Sequence, residues 1–551
     1  MAKSIKQRLL PFITPPKGGW GVFFLLLLVS CSNHPSLPSS YTQTNEELKT
    51  YPDYTNVTVP PNIAPLNFMV DSVDDVVAEI RPSKSPLKGD LIISSPLRGG
   101  REGSKVRFDE DEWHELLASA KGGSLSVTVY TEKDGKWLAY KPFNINVAEE
   151  DIDPYISYRV LPPTFVGFDE LSIRQRNLTN FDETIIYNNN QITEGIEGQC
   201  INCHSYQNYG TDNMMFHMRL QHPGTMIVYG GKLIFVNLKT DDMISAAAYN
   251  NWHPFLPIIA FSTDHTMQSF HTREVTKVEV MESASDIVIY DIEKNRVQTV
   301  LNDSLEFELF PSWSPDGKWL YYCSAHHEYK SKYEDTDELL NEYKTLQYNL
   351  YRISFDAETM TFGEPELIYD AVSKNRSAVQ PRVSQDGRYV VFAEGPWGLF
   401  HIWHTSADIN ILDLGAIDHS PLTIDHSATP EDAAAKNNGQ SSTVNGQCSM
   451  VNVQRLNSPL PESYPSFSSN DRWIMFESRR DDGNYTRIFF AYFDKQGHLH
   501  KPFEVPAKDP EYFRILLKSW SRPEFMKEPV RITPRQFYEK ALTEPIKVAQ
   551  K

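Results

Sequence analysis

The sequence of 551 residues predicts an all-β protein, a small N-terminal β-sandwich followed by a β-propeller of five or six blades. Two observations predict this fold. Short segments alternate between apolar and polar residues, which is typical of strands with one buried face. A large residue, a turn and an aromatic-rich strand recur together in four segments, 252–262, 313–323, 383–393 and 467–477. Several strands per unit, repeated along a chain, indicate a propeller.

The N-terminus predicts export. Residues 1–21 carry basic side chains and no acid, and the apolar run that follows is too short to span a bilayer. We therefore expect a signal peptide over 1–30. The sequence Leu-Val-Ser before Cys31 resembles the lipobox of bacterial lipoproteins, which implies cleavage before Cys31 and lipidation of that cysteine. Residues 31–64, rich in polar residues and proline, then form a lipidated tether.

Residues 65–190 predict the β-sandwich domain. Residues 124–130 alternate as a strand does, the Asp-Gly pair at 134–135 is a hairpin turn, and a short helix is expected over 110–120. Residues 82–104 interrupt this domain with a basic near-repeat rich in glycine and proline. Such composition predicts an insert into a loop, which a fold tolerates.

The stretch 200–204, Cys-Ile-Asn-Cys-His, follows this domain. Cys-x-x-Cys-His is the attachment signature of a c-type haem, in which two thiols add to the porphyrin and the histidine lies under the iron. A thioredoxin-like pair lacks its βαβ context here, and a zinc site lacks a second ligand pair nearby. A chance match or a simple disulfide is the alternative. We therefore predict that segment 191–226 binds one covalent haem c through Cys200 and Cys203, with His204 as the proximal ligand.

The second axial ligand is not fixed by this motif. If 214–220 is a strand, Met218 lies on its apolar face and His217 on the opposite face with Arg219. Met218 and His217 are equal candidates for the distal position, and His217 would leave Arg219 near a haem propionate. An open or water-bound iron is the further alternative. His253 takes the place that serine holds in other repeats, so we expect a structural role for it.

Residues 227–506 are predicted to form the propeller. The Asp-Gly pairs at 316–317 and 386–387 supply tight turns between strands. The sequence Pro-Ser-Trp-Ser-Pro-Asp-Gly-Lys-Trp-Leu-Tyr at 311–321 resembles the repeats of TolB-like periplasmic proteins and of prolyl-oligopeptidase-type propellers. Five repeats are expected, with a sixth blade if strands in 155–190 close the ring.

Two further segments lie within or beyond this propeller. Residues 415–455 carry polar near-repeats, which cannot bury a core and therefore predict a second insert. Residues 507–551 predict a C-terminal tail that wraps the propeller and ends in a short helix near 534–542.

The lipobox, the small β-domain, the single haem motif and the TolB-like repeats together resemble exported monohaem lipoproteins of Bacteroidetes-type bacteria. The resemblance implies a protein of the bacterial cell envelope, periplasmic or at the outer membrane, that is held to the membrane through Cys31. The net charge of −19, without a basic stripe, argues against nucleic acid as a partner.

Three functions stay open at this point. The first is electron transfer or redox sensing by the haem, with a propeller that docks an envelope protein. The second is a non-redox envelope scaffold in which the haem holds the junction between domains. The third is a haem peroxidase with an open iron site. A hydrolase is not expected, because the Gly-x-Ser-x-Gly motif is absent from the sequence.

Overall fold

The computed structural model describes residues 37–83, 92–93, 95–97, 104–162, 170–191, 199–271, 273–274, 276–330, 336–415 and 448–550. The predicted signal peptide over 1–30 and the lipidation site Cys31 lie outside the described residues. Within the described part of the chain, no helix is both long enough and apolar enough to cross a membrane.

Two sheets and a helix form the N-terminal region. The strands of a seven-stranded sheet are Thr42–Gln43, Thr58–Val59, Asp75–Pro82, Ile92–Ile93, Gly123–Lys133, Lys136–Ala139 and Phe143–Val147. The strands of a three-stranded sheet are Phe68–Val70, Ser95–Leu97 and Ser104–Arg107. The packing of these sheets face to face as a β-sandwich stays a prediction.

The predicted helix and hairpin of this region are confirmed. The helix Glu110–Ala120 begins at Asp109, whose side chain accepts hydrogen bonds from two backbone N–H groups of the first turn. It buries Trp113 against the N-terminal core. The hairpin turns at Asp134 and Gly135, both with positive φ, as the Asp-Gly pair predicts.

Part of the predicted tether is folded instead. Thr58–Val59 pair in parallel with Phe143–Val147, and Val57 and Ile63 are fully buried. These apolar side chains lie in the same core as the helix, so they add buried area that a free tether would lack. The folded body therefore begins before residue 65, where the sequence had placed its boundary.

Six antiparallel sheets form the blades of a β-propeller, and their inner strands lie against one another in a closed ring. In blades one to six, in that order, the strands are Ser519–Met526, Tyr155–Leu161, Ser172–Asn177 and Glu183–Asn188; Gln199–Gln207, Gly210–Leu220, Gly224–Tyr229 and Lys232–Asn237; Ala247–Trp252, Ile258–Phe270, Val278–Asp291 and Arg296–Leu301; Glu306–Trp313, Trp319–His326, Asn349–Asp356 and Thr361–Tyr369; Ser377–Val383, Tyr389–Gly395, Asp408–Asp413 and Ser449–Met450; Glu462–Phe467, Trp473–Ser478, Arg487–Tyr492 and Phe503–Glu504.

The C-terminal part of the chain closes this ring. Ser519–Met526 returns to blade one and pairs there with Tyr155–Leu161, so blade one combines strands from both ends of the propeller sequence. Because this pairing joins the two ends of the propeller sequence in one sheet, the ring of blades is closed. Ile546–Lys547 and Ala549–Gln550 then pair in parallel with the outer strands of blades two and three.

These strands correct three predicted boundaries. The strands within 155–190 form blade one, which confirms the six-blade alternative and removes them from the N-terminal domain. Residues 199–237 form blade two, so the haem motif is not a separate segment before the propeller. The predicted tail contributes an inner strand, and its expected helix is confirmed as Pro534–Ala541.

The predicted inserts are described only at their edges. Ser449–Met450 lies within 415–455 and is the outer strand of blade five, because it pairs with the end of Asp408–Asp413. Ser104–Arg107 follows the first insert and pairs with Phe68–Val70. Most of both inserts lies outside the described residues. The remaining helical segments are Asn189–Gln191, Thr336–Glu342, Tyr343–Thr345, Val372–Lys374, His401–Trp403 and Tyr512–Ile515.

Side chains of the repeat hold the turn between the first two strands of a blade. In blade four, the hydroxyl of Ser314 donates to Asp316 at 2.5 Å and accepts from the backbone N–H of Trp319 at 3.0 Å. Gly317 adopts φ of 71°, which suits glycine in this tight turn. The Asp-Gly pair therefore acts as the sequence predicts.

His253 replaces that serine in blade three. Its Nδ1 accepts hydrogen bonds from the backbone N–H groups of Phe255 and Leu256, at 3.2 and 3.0 Å. Its Nε2 lies 3.1 Å from the carbonyl oxygen of Gly317 in the next blade. Both ring nitrogens are therefore used, and the predicted structural role of His253 is confirmed.

Candidate functional site

The inner strand of each blade bends at one residue with positive φ. The register of the ladder shifts across this residue and the next one, and neither is paired, which marks a β-bulge. In blades one to six the residue is Arg522, Cys203, Tyr249, Phe310, Gln380 and Tyr464, with φ between 41° and 59°. Positive φ is uncommon for residues other than glycine, so its recurrence at this place identifies one shared structural element.

Cys203 and His204 occupy the bulge of blade two. The sequence Cys-His-Ser-Tyr that begins at Cys203 lies where Phe-Pro-Ser-Trp lies from Phe310 in blade four. The position of His204, directly after the residue with positive φ, holds proline in four other blades: Pro311, Pro381, Pro465 and Pro523. The Cys-x-x-Cys-His motif therefore overlaps the inner strand of a propeller repeat. In the sequence, the serine and the aromatic residue that follow His204 indicate this repeat.

The two cysteines of the motif differ in exposure. Cys200 is half-buried and pairs across the strand with Arg219. Cys203 is fully buried, and its carbonyl oxygen accepts a hydrogen bond from the side chain of Asn250. Both thiols lie within electrostatic range of Arg219, but only Cys200 pairs with it across the strands.

His204 is fully buried, and neither ring nitrogen has a hydrogen-bond partner among the described residues. Burial, together with the charges of Arg522 and Arg159, lowers the pKa of His204 to about 3. The backbone of Ser157 lies near enough to oppose this shift but makes no hydrogen bond of good geometry. The imidazole is therefore neutral at pH 7. A buried polar group without a partner is costly, and a neutral imidazole nitrogen is a common metal ligand.

The two distal candidates lie on opposite faces of Gly210–Leu220, as the alternation predicts. Met218 pairs across the strands with Ile201 and is packed in the apolar cluster between blades one and two. His217 lies 3.1 Å from the hydroxyl of Thr225 through Nδ1, while its Nε2 has no partner in the described part. Burial lowers the pKa of His217 to about 3. No hydrogen bond or ring contact joins His204 to either candidate within the described ranges.

A cavity of about 470 Å³, which we call the funnel, opens beside the motif. Cys200 and Asn202 line it from blade two. Its apolar wall comes from several blades and comprises Leu161, Leu171, Val280, Phe400, Ile402 and Trp403. Its basic side chains are Arg159, Arg219, Arg479 and Arg522. Apart from Arg219, these arginines could not be identified from the sequence, because blades one and six bring them together from distant parts of the chain.

The axial channel narrows next to the funnel, where the bulges of the inner strands meet. Arg382 from blade five and Glu524 from blade one form an ion pair of 2.6 Å there. The charge of Arg382 also acts on His204. Cys200 therefore lines the funnel, whereas His204 is fully buried and lines neither the funnel nor the narrow part of the channel.

Within the described ranges, no group of three or more His, Cys, Asp or Glu side chains is arranged to hold a metal ion directly. A porphyrin-bound iron needs only one axial side chain from such a set, because the porphyrin supplies the other four ligands. The donors that the motif offers, two thiols and one unpaired imidazole, fit this chemistry.

No protein-family profile matches the chain, and no curated protein sequence matches it. Among solved structures, a mutant of the Synechocystis apocarotenoid oxygenase is 11% identical, with 87% of this chain and 97% of that chain covered and a TM-score of 0.35. A luciferin-regenerating enzyme is 10% identical, with 64% and 91% covered and a TM-score of 0.31. A prolyl endopeptidase is 9% identical, with 66% and 50% covered and a TM-score of 0.31. Similarities this distant carry no argument about function.

Proposed function

We propose that this protein is an exported lipoprotein that carries one covalent haem c and acts in electron transfer or redox sensing. The observation that carries the proposal is the buried imidazole of His204, which has two unpaired nitrogens directly after the two cysteines of an attachment motif. In four of the other five blades this position takes proline, which has no donor or acceptor in its side chain, and in blade three it takes Asn250, whose side chain hydrogen-bonds to Cys203 and Ser205. Among the described residues, the ring of His204 has no hydrogen bond that would give it such a structural role.

The residues of blade two would hold the haem as follows. Cys200 and Cys203 would form the thioether links, and His204 would bind the iron as the proximal ligand. The iron would then accept and release one electron. The apolar wall of the funnel and its arginines suit a flat ring that carries two carboxylates. Burial keeps His204 neutral, so its nitrogen stays free to bind metal across the physiological pH range.

For the distal position we favour His217 over Met218. The unpaired Nε2 of His217 is a free donor atom, whereas Met218 fills the apolar cluster between two blades. Binding through Met218 would take a packed side chain out of that core, at a cost of about 2–5 kcal/mol.

The envelope location follows from the predicted lipid on Cys31, with a protein partner that docks on the propeller. Cys31→Ala is expected to release the chain from the membrane fraction or leave it unprocessed, because acyl chains provide the anchor. Unchanged fractionation and unchanged palmitate labelling of this variant would contradict the lipobox prediction.

A second candidate is the non-redox scaffold, and one observation favours it. Cys203 and His204 occupy a bulge that every blade has, so the fold itself requires a residue of this conformation at Cys203. In that case the haem would stabilise blade two, and the iron redox state would not change the binding of a partner.

The test is expression of the full chain together with haem-attachment machinery. After denaturation, haem should stay on the wild type and on the control Cys448→Ser, whose half-buried thiol lies outside the motif. It should be absent from Cys200→Ser/Cys203→Ser. Absence of covalent haem from the wild type would contradict the proposal. A six-coordinate low-spin iron that is reduced and reoxidised reversibly would support electron transfer, whereas an open iron that reacts with peroxide would support a peroxidase.

A further inference from the structure

The arginines of the funnel form no ion pair with a described residue. Arg159, Arg219, Arg479 and Arg522 all line it, and none lies within 4.0 Å of a carboxylate in the described part of the chain. Other arginines of the propeller do form such pairs, as Arg382 does with Glu524 at 2.6 Å. The funnel therefore brings together four guanidinium groups that have no ion pair of their own.

Two of these guanidinium groups are also buried. Arg479 is 4% exposed, stacks on Trp403, and leaves its Nε without a partner. Arg522 is 5% exposed and leaves one terminal nitrogen, Nη1, without a partner. Burial lowers the pKa of Arg479 to about 9, so it is still charged at pH 7. A buried charge without a counter-ion is unfavourable, so these groups favour an anion beside them.

Two acids, Asp264 and Glu477, also line the funnel, and burial opposes their ionisation. Burial raises the pKa of Glu477 to about 7, and one of its oxygens accepts the backbone N–H of Arg522 at 3.0 Å. Burial also raises the pKa of Asp264. Burial therefore opposes the ionisation of both carboxyl groups, whereas Arg479 is still charged at pH 7. The funnel is positive in a protein whose net charge is −19.

We infer that the funnel binds a carboxylate-bearing ligand with an apolar body. Arg219, Arg479 and Arg522 pair with the carboxylates, and the wall around Trp403 and Phe400 contacts the apolar part. Guanidinium groups bind carboxylates with two parallel hydrogen bonds, so this set also orients the ligand. The carboxylates come from one of two sources, a porphyrin held at the neighbouring cysteines or a free organic acid.

The test uses the full chain with Cys200→Ser/Cys203→Ser, so its result does not depend on covalent haem. Metal-free protoporphyrin and phthalate are titrated into this protein, with binding followed by fluorescence quenching and by calorimetry. Arg219→Gln is the main variant, because Arg219 is exposed and its loss should not affect folding. Arg479→Gln is the second variant. Arg535→Gln, an arginine on the surface helix with 84% exposure of its side chain, is the control.

We expect Arg219→Gln and Arg479→Gln to weaken binding by about tenfold each, and Arg535→Gln to leave it unchanged. Phthalate binding with this dependence identifies a free organic acid as the source. Binding of protoporphyrin alone, with the same dependence, identifies the porphyrin carboxylates. Failure of both probes to bind, or binding that neither funnel variant weakens, would overturn the inference. The proposed haem attachment is tested separately, by whether the wild type carries covalent haem.

Discussion

Two buried histidines in neighbouring blades differ in what their rings do. His253 in blade three uses both nitrogens, because two backbone N–H groups donate to Nδ1 and Nε2 faces a carbonyl oxygen. His204 in blade two uses neither nitrogen within the described residues. The first ring replaces the serine that holds a turn, and the second stands where four blades have proline. The comparison separates a histidine that the fold explains from one that a ligand would explain.

Of the substitutions at the two histidines, the largest stability effect is expected at the histidine with partners. His253→Leu leaves the part-buried backbone N–H groups of Phe255 and Leu256 without their acceptor. It should lower the free energy of unfolding by about 2–4 kcal/mol, measured by denaturant titration. Phe255→Ala, at a side chain that is 67% exposed, is the matched control and should change it by about 0.5 kcal/mol or less. If both substitutions lower the free energy of unfolding equally, the structural role assigned to His253 is contradicted.

The same residue should make stability depend on pH. Burial lowers the pKa of His253 to about 4, below the value of about 6.5 for an unfolded chain. Between these values the unfolded state binds a proton that the folded state does not, so stability is lost as pH falls through this range. From pH 6.5 to 5 the contribution of His253 should fall by about 1–2 kcal/mol. His253→Leu should lack this pH-dependent contribution to stability. An unchanged dependence of stability on pH in the variant would contradict its attribution to His253.

The bulge position itself should accept proline. His204→Pro introduces the proline that four other blades have at this position. We expect the free energy of unfolding of the haem-free protein to fall by no more than about 1 kcal/mol. Ile201→Pro, at a paired position of the same strand, is the contrast and should cost about 3 kcal/mol or more. If His204→Pro is as damaging as Ile201→Pro, blade two does not share the repeat geometry of the others.

The smallest effect is expected for His204→Leu in the haem-free protein. It removes two unpaired nitrogens from a fully buried site and keeps a side chain of similar size. The free energy of unfolding should stay the same or rise by up to about 1 kcal/mol. A clear loss of stability would mean that the ring has a structural partner.

Much of the fold could be predicted from the sequence, because it depends on local patterns. The Asp-Gly turns, the helix Glu110–Ala120 and the repeated aromatic strands all carry their signal within a few residues. Blade one could not be assigned with certainty, because its inner strand Ser519–Met526 comes from the other end of the chain. Such a pairing leaves no local pattern.

The motif could be identified from the sequence, but its place in the propeller could not. The spacing of the motif identified Cys200, Cys203 and His204. Their place in a blade was missed, because the boundary of the predicted segment was set by the motif and not by the strands. The alternation that divided Met218 from His217 was correct. Which of them faces a ligand depends on packing between strands, and sequence alone does not contain that information.

The most direct test of the difference between the two histidines is the axial ligation of the iron. Absorption and electron paramagnetic resonance spectra would be compared for the haem-loaded wild type, His204→Leu and His253→Leu. With His217 as the distal ligand, we expect two imidazole ligands and a low-spin iron in the wild type and in His253→Leu, and only one remaining imidazole in His204→Leu. An identical imidazole signal in the wild type and His204→Leu would contradict the claim that the unpaired ring of His204 is the ligand.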